Sequence, residues 1–386
     1  MESFTYDYPV RNYFGRGSLE PALREWMPRM GERVLLAYGG GSVKRSGLYD
    51  QIRGMLGDAG KSVVDFGGIM SNPTYAKVQE GAGVARENDV DFILAVGGGS
   101  VFDCCKIVSA QARLDEDIME FERVRHGVPT EFIPMGCVVT LSGTGAEQNA
   151  GGVITDERTR NKGPLLGALA SFAVLDPDYT LSVPAPQFTS GAFDSLSHCM
   201  ETFFGTPRTR NASDDINLAV QRNIVRNMRA LKADPDDAGA RSELVYDSAM
   251  GENGVLKIGK VTDFQCHMIQ HQYGAYTHTN HGMGLAVIHP ALYRRLAGEA
   301  PAQFALWARE VWGVRDADDV SAARAGVEAL AAFIREMGLP ATFAELGGDA
   351  SDETLRAVAD TATLTPGCAK RLSRDEIFDI LVECRG

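Results

Sequence analysis

Apolar residues in the first half of the chain fall into short, nearly continuous runs that end in glycine. RVLLAYG, SVVDFG and VDFILAV are such runs. Their pattern predicts strands buried on both faces. Between them lie stretches of helical period: Ser42 to Gly60, Thr74 to Asn88, and Val101 to about Ala112. EFIPMGCVVT and FAVLDPD read as further strands. Strands alternating with helices predict a parallel, doubly wound sheet. Beyond Pro184 and Pro186 the texture changes to long helical patterns. The last of these, DEIFDILVEC, opens with Ser373 and Glu376 at capping-box spacing.

A chain of 386 residues exceeds what one core usually organises. The expectation is an α/β protein with two domains. Residues 1–184 form a Rossmann-like, doubly wound parallel-sheet domain that binds a dinucleotide, and residues 185–386 form an all-helical metal-binding domain. The apolar fraction of 44% and charged fraction of 23% are ordinary for a globular protein. A net charge of −13 argues against nucleic acid or an anionic membrane as a general partner. The N-terminus lacks a signal-peptide pattern, and no apolar run spans a bilayer, so a cytoplasmic location is expected. The seven cysteines form no paired framework and no C-x-x-C knuckle, which favours reduced, mostly buried thiols.

Gly97-Gly98-Gly99-Ser100 sits where a strand gives way to a helix. Glycines there permit close backbone approach, and the helix start offers free N–H groups to an anion such as a pyrophosphate. The spacing is not that of the G-x-G-x-x-G fingerprint, and a ligand-free turn is an equally ordinary reading. Thr140 to Glu147 is a second small-residue loop after a strand. At the tip of the first predicted strand of the sheet, Gly39, Gly40, Gly41 and Ser42 stand where an NAD site commonly has a carboxylate. Lys44 and Arg45 follow, so the tip suits a ribose 2′-phosphate and hence NADP(H).

Six of the seven histidines lie between His198 and His289. Asp194 and His198 are four apart, as are His267 and His271, and His281 follows ten residues later. A spacing of four puts two side chains on one helical face. Two such helices can offer an aspartate and several imidazoles to one divalent metal. A catalytic site keeps one position open, so not all five residues ligate. Either His267 or His271 can instead stand beside the open position as a proton relay. His278 reads as a bystander, and His289 as a helix-end or core residue. One carboxylate with three imidazoles suits Fe²⁺ or Zn²⁺.

With these segments in view, the chain resembles the iron-containing (group III) alcohol dehydrogenase family over nearly its whole length. The resemblance rests on Tyr8-Pro9-Val10-Arg11-Asn12, Phe14-Gly15, Ser71-Asn72-Pro73, GGGSVFDCCK, TLSGTGAE, VLDPD, the Asp194–His198 pair, and His267–His271–His281 followed by glycine. The GGGSVK tip and GAEQN make it most similar to the NADPH-dependent, butanol-dehydrogenase-like aldehyde reductases. The resemblance implies Asp194, His198, His267 and His281 as metal ligands, with His271 as the non-ligating histidine near the nicotinamide. It implies Gly97, Gly98, Gly99 and Ser100 at the pyrophosphate with Asp103 nearby. Asn72, Thr140, Thr144 and Lys162 would contact the cofactor, and Gly39, Gly40, Ser42 and Lys44 would surround the adenosine 2′ position. A homodimer is implied as well. The chain departs from the pattern at Ala146, where serine is usual, and at Val101, where many relatives have proline. Thr277, His278 and Asn280 make the approach to His281 more polar than usual.

The expected reaction is hydride transfer between NADP(H) and a small alcohol or aldehyde. The metal would act as Lewis acid, and a proton would pass through a relay that includes His271. Two other classes compete: a dehydroquinate synthase-like lyase, which wants a basic pocket for an acidic substrate, and a metallohydrolase, which leaves both GGGS loops unexplained.

Overall fold

The computed structural model describes residues 4–386. They form two compact units, Tyr8–Val183 and Pro184–Gly386, and residues 4–7 group with the second. The expectation had placed those four residues in the first domain. Tyr6 accounts for the difference, since its hydroxyl donates to the Asn253 carbonyl at 3.3 Å.

The first unit holds eight strands: β1 (Arg11–Phe14), β2 (Arg33–Tyr38), β3 (Ser62–Phe66), β4 (Phe92–Gly97), β5 (Met135–Val139), β6 (Gly151–Asp156), β7 (Asn161–Leu166) and β8 (Phe172–Leu175). Its helices are α1 (Leu19–Trp26), α2 (Ser42–Arg45), α3 (Leu48–Asp58), α4 (Tyr75–Glu87) and α5 (Gly99–Gln111). Six strands make one wholly parallel sheet in the order β1-β8-β5-β4-β2-β3. Val34, Leu36 and Tyr38 of β2, at every second position, share one buried face with Leu94 and Val96 of β4 and pack with Leu23, Ile52 and Leu56 of the helices. The intervening Leu35, Ala37, Ile93 and Ala95 are buried too. Burial of both faces explains why the strands read as continuous apolar runs.

Four local features depart from the expected pattern. The single helix expected from Ser42 to Gly60 is two, α2 and α3, because Gly47 takes a left-handed turn at φ 80°. The strand expected from Glu131 begins only at Met135, after Pro134. The antiparallel hairpin β6–β7 and the edge strand β1 had no sequence expectation.

The second unit has no strand among its described residues. Its helices are α6 (Ala185–Phe203), α7 (Ala212–Ala233), α8 (Ala238–Glu252), α9 (Gln265–Thr277), α10 (His281–Ala297), α11 (Pro301–Trp312), α12 (Asp319–Glu336), α13 (Phe343–Leu346), α14 (Asp352–Thr361) and α15 (Arg374–Glu383). The capping box of α15 forms as expected: Ser373 Oγ accepts from Glu376 N at 3.2 Å, and the Glu376 carboxylate accepts from Ser373 N at 2.9 Å. No helix among the described residues is long and apolar enough to cross a membrane. All seven cysteines are free of disulfides, and six are buried.

Asp247 of α8 is a weak point in this unit. Burial, with the Glu243 carboxylate adding to it, raises its pKa to about 7 even though Asn223 Nδ2 donates to it at 3.0 Å. A carboxyl with a raised folded-state pKa favours the fold below its unfolded value. That contribution is lost as pH rises through about 7. Asp247→Asn is therefore expected to raise the melting temperature at pH 8 by several degrees, for about 2 kcal/mol regained, and to leave it unchanged at pH 4. Paired thermal melts at the two pH values check this.

Candidate metal and nucleotide sites

Asp194 lies in the middle of α6, His267 in the first turn of α9 and His281 at the start of α10. Their ligand atoms lie within 4.8 Å of one another. Asp194 Oδ1 is 3.4 Å from His267 Nε2 and 3.6 Å from His281 Nε2. Asp194 Oδ1 and His267 Nε2 are buried and make no hydrogen bond. A buried carboxylate oxygen and imidazole nitrogen left in this state are costly unless a cation satisfies both. The donor set therefore fits a divalent metal.

His198, one turn beyond Asp194 on α6, is placed differently. Its ring stacks on His267 with centroids 4.4 Å apart, and its Nδ1 is 3.9 Å from Asp194 Oδ1. It adjoins the set of three without joining it. Burial lowers its pKa, although Asp194 opposes the shift, and the neutral form is the one that ligates. His271 is buried one turn after His267. Its ring lies 5.1 Å from that of His281 and 5.9 Å from that of His267, and it is outside the ligand set.

Two residues that the sequence reading passed over orient the imidazoles of His267 and His281. Glu201 is buried at the end of the stripe Asp194–His198–Glu201, and its carboxylate accepts from His267 Nδ1. The same carboxylate accepts from Cys266 N at 2.7 Å and His267 N at 3.3 Å. This fixes the tautomer that turns Nε2 toward Asp194. Burial alone would push His267 toward its neutral form, but Glu201 and Asp194 outweigh it and raise the pKa to about 9; a divalent metal at Nε2 would take the place of that proton. Gln270 Oε1 does for His281 Nδ1 what Glu201 does for His267. The available signal was spacing: Glu201 is seven residues from Asp194, on the same face.

The other two histidines of the cluster, His278 and His289, are structural. His278 is the left-handed C-cap of α9, at φ 55°. His289 is a core residue, fully buried in α10, with Nε2 2.6 Å from Ser197 Oγ. Cys199 and Cys266 lie outside the ligand set, and burial raises both thiols well above their ordinary range.

In the first unit the glycine loops converge. Strand register sets Tyr38 beside Val96 and Gly97 beside Val139. The segments after β2, β4 and β5 thus leave the same carboxyl edge side by side. The chain runs outward from β2 to β3, then turns back to β4 and onward to β5, so the strand order reverses between β2 and β4. That is where open α/β sheets bind ligands. Gly98 precedes α5 and Gly99 is its first residue, so the helix starts inside the GGGS run, two residues before the expected Val101. A Cβ on Gly99 would fall 2.2 Å from Thr144 Oγ1, so the glycine is what lets the two loops touch. Thr140 N donates to the Gly97 carbonyl at 2.8 Å, and Ser100 lies in the first turn of α5.

Asp103 is tied to the hairpin through Val153 N at 3.1 Å, and burial raises its pKa against the pull of Lys106. Lys162 Nζ donates to Asn72 Oδ1 at 2.8 Å, which joins two of the expected cofactor residues. At the β2 tip, Gly39 and Gly40 precede Ser42, the first residue of α2. Lys44 Nζ lies 4.9 Å from the Tyr38 ring centroid and 4.6 Å from that of Tyr49.

Comparison with known proteins now bears on both sites. The family model "Iron-containing alcohol dehydrogenase" matches residues 9–177, and the family's C-terminal model matches residues 188–384. The chain belongs to the iron-containing alcohol dehydrogenase family. It is 36% identical to the probable NADH-dependent butanol dehydrogenase 1 of Bacillus subtilis, over 99% of each chain. It is 33% identical to the NADPH-dependent aldehyde reductase YqhD of Escherichia coli, over 91% of each. The crystal structure of NADH-dependent butanol dehydrogenase A from Thermotoga maritima superposes with a TM-score of 0.94 at 29% identity, covering 100% of this chain and 99% of that one. As a member of the iron-containing family, the chain is an alcohol dehydrogenase-type oxidoreductase that uses a nicotinamide nucleotide and an iron-type metal.

Proposed function

We propose that this iron-containing dehydrogenase is an NADP(H)-preferring reductase of small aldehydes, acting in reverse on primary alcohols, with a butanol-dehydrogenase-like range. The observation that carries the reading is the buried, hydrogen-bond-free pair of Asp194 Oδ1 and His267 Nε2 beside His281. Asp194, His267 and His281, with His198 as the fourth, would hold Fe²⁺ or Zn²⁺. The metal supplies Lewis acidity toward an aldehyde oxygen, and NADPH supplies the hydride. Glu201 and Gln270 keep two imidazoles aimed. His271 stands one helical turn from His267, where it can pass a proton to the product oxygen.

Gly97, Gly98, Gly99 and Ser100 would cradle the pyrophosphate at the start of α5. Thr140, Thr144, Asp103, Asn72 and Lys162 would line the rest of the nucleotide. The names of the relatives divide between NADH and NADPH, so the nucleotide preference rests on the β2 tip itself. No carboxylate stands among Gly39, Gly40 and Ser42, and two tyrosine rings hold the Lys44 ammonium there.

The test is NADPH and NADH oxidation with butanal, using metal-stripped protein with and without added Fe²⁺ or Zn²⁺. Metal-dependent multiple turnover with the higher kcat/KM for NADPH is expected. Lys44→Ala should raise KM for NADPH about tenfold and leave that for NADH nearly unchanged. Binding and metal occupancy without net nucleotide oxidation would return weight to a lyase. Failure to bind either nucleotide would return it to a hydrolase.

A further inference from the structure

Phe264, the residue preceding α9, adopts φ 48° and ψ 47°. Non-glycine residues seldom take this left-handed conformation, and an aromatic held in it is a pointer to function. The neighbours on both sides fix it. Asp263 Oδ2 accepts from Cys368 N at 2.6 Å and Thr365 Oγ1 at 3.3 Å. Gln265 Nε2 donates to the Lys370 carbonyl at 2.8 Å. Cys266 N is bound by Glu201. Phe264 makes no side-chain cap for the helix, so glycine or asparagine would serve the backbone better.

The ring is only partly buried, and it lies where the chemistry is. Its centroid is 5.2 Å from that of His267, edge-on, and 5.8 Å from that of His198. Lys257 Nζ sits 5.1 Å from the same ring, held by the Glu252 carboxylate at 2.9 and 3.0 Å. The ammonium and the two imidazoles thus brace the ring from different partners.

We propose that Phe264 is a specificity-determining residue: its ring is the apolar wall against which the tail of the aldehyde or alcohol lies while the oxygen faces the site formed by Asp194, His267 and His281. The inference rests on the aldehyde-reductase reading above. A substrate oxygen facing that site beside His267 leaves its first carbons within reach of a ring that lies edge-on to His267. The wall then sets tolerance for length and branching, because apolar contacts in a closed pocket discriminate by about tenfold or more per methylene.

The test compares wild type with Phe264→Ala, Phe264→Leu and Phe264→Trp in the metal-loaded enzyme. It uses linear aldehydes from ethanal to hexanal, 2-methylpropanal and phenylacetaldehyde. Metal per chain and the rise in melting temperature given by pentan-1-ol are measured beside the kinetics. Phe264→Ala is expected to keep its metal, to lose about tenfold in kcat/KM for butanal through KM, and to gain relative to wild type on phenylacetaldehyde. Its pentan-1-ol stabilisation should shrink, and Phe264→Leu should fall between. If Phe264→Ala does not fold, the leucine and tryptophan variants carry the comparison, with opposite shifts in preferred chain length expected. An unchanged substrate profile, or a uniform loss that follows metal content, would overturn the proposal while leaving the reductase reading intact. A wild-type enzyme that reduces no aldehyde would overturn both.

Discussion

His267→Ala is expected to lose metal and aldehyde reduction together, with kcat/KM down at least about a thousandfold and metal per chain near zero. His267 is the centre of the cluster: its Nε2 is 3.4 Å from Asp194 Oδ1, and its ring contacts those of His198, His271 and His281. Removing it deletes a ligand and leaves the Glu201 carboxylate buried without its imidazole, so the protein should also melt earlier. Glu201→Gln separates the two effects. The amide keeps the size and an acceptor, but it removes the negative charge that holds the imidazole in place. Metal affinity should fall about 10- to 100-fold, and saturating metal should restore most of the activity. Metal titration by inductively coupled plasma measurement, followed by rate assays at each occupancy, resolves both. Full metal content in His267→Ala would mean that His198 and His271 supply the ligands.

The sheet was legible in the sequence because both faces of its central strands are buried, which leaves continuous apolar runs in Val34–Ala37 and Phe92–Val96. β1 was not legible, since none of its four residues is buried and they gain their place only by pairing with β8. The β6–β7 hairpin was hidden for a related reason: Gly151, Gly152, Gly163 and Pro164 are poor strand formers, and tertiary contact decides their conformation. The clustered histidines stood out because histidine is rare in the chain. Glu201 and Gln270 did not, because acidic and amide residues are common, and only their contacts with His267 and His281 mark these two as different. The left-handed Phe264 has no sequence signal, for no local rule places an aromatic there.

His271→Ala is expected to keep the metal and lose about a hundredfold in kcat, the scale of general acid–base catalysis. Reducing an aldehyde with NADPH consumes one proton, and oxidising the alcohol releases one. A side chain that supplies the proton must be protonated for reduction, so reduction should fall as pH rises through the relay's apparent pKa, and alcohol oxidation should rise. In the alanine variant both limbs should flatten, and added imidazole should return part of the rate. The site allows this division of labour. His271 shares a helical face with His267, yet its ring stacks on His281 and takes no place among the three donor atoms. Rate profiles from pH 5 to 9 in both directions, with metal content measured on the same samples, check the assignment. An empty metal site in His271→Ala would make it a ligand and move the relay elsewhere. An unchanged profile with full metal would mean that solvent reaches the product oxygen without it.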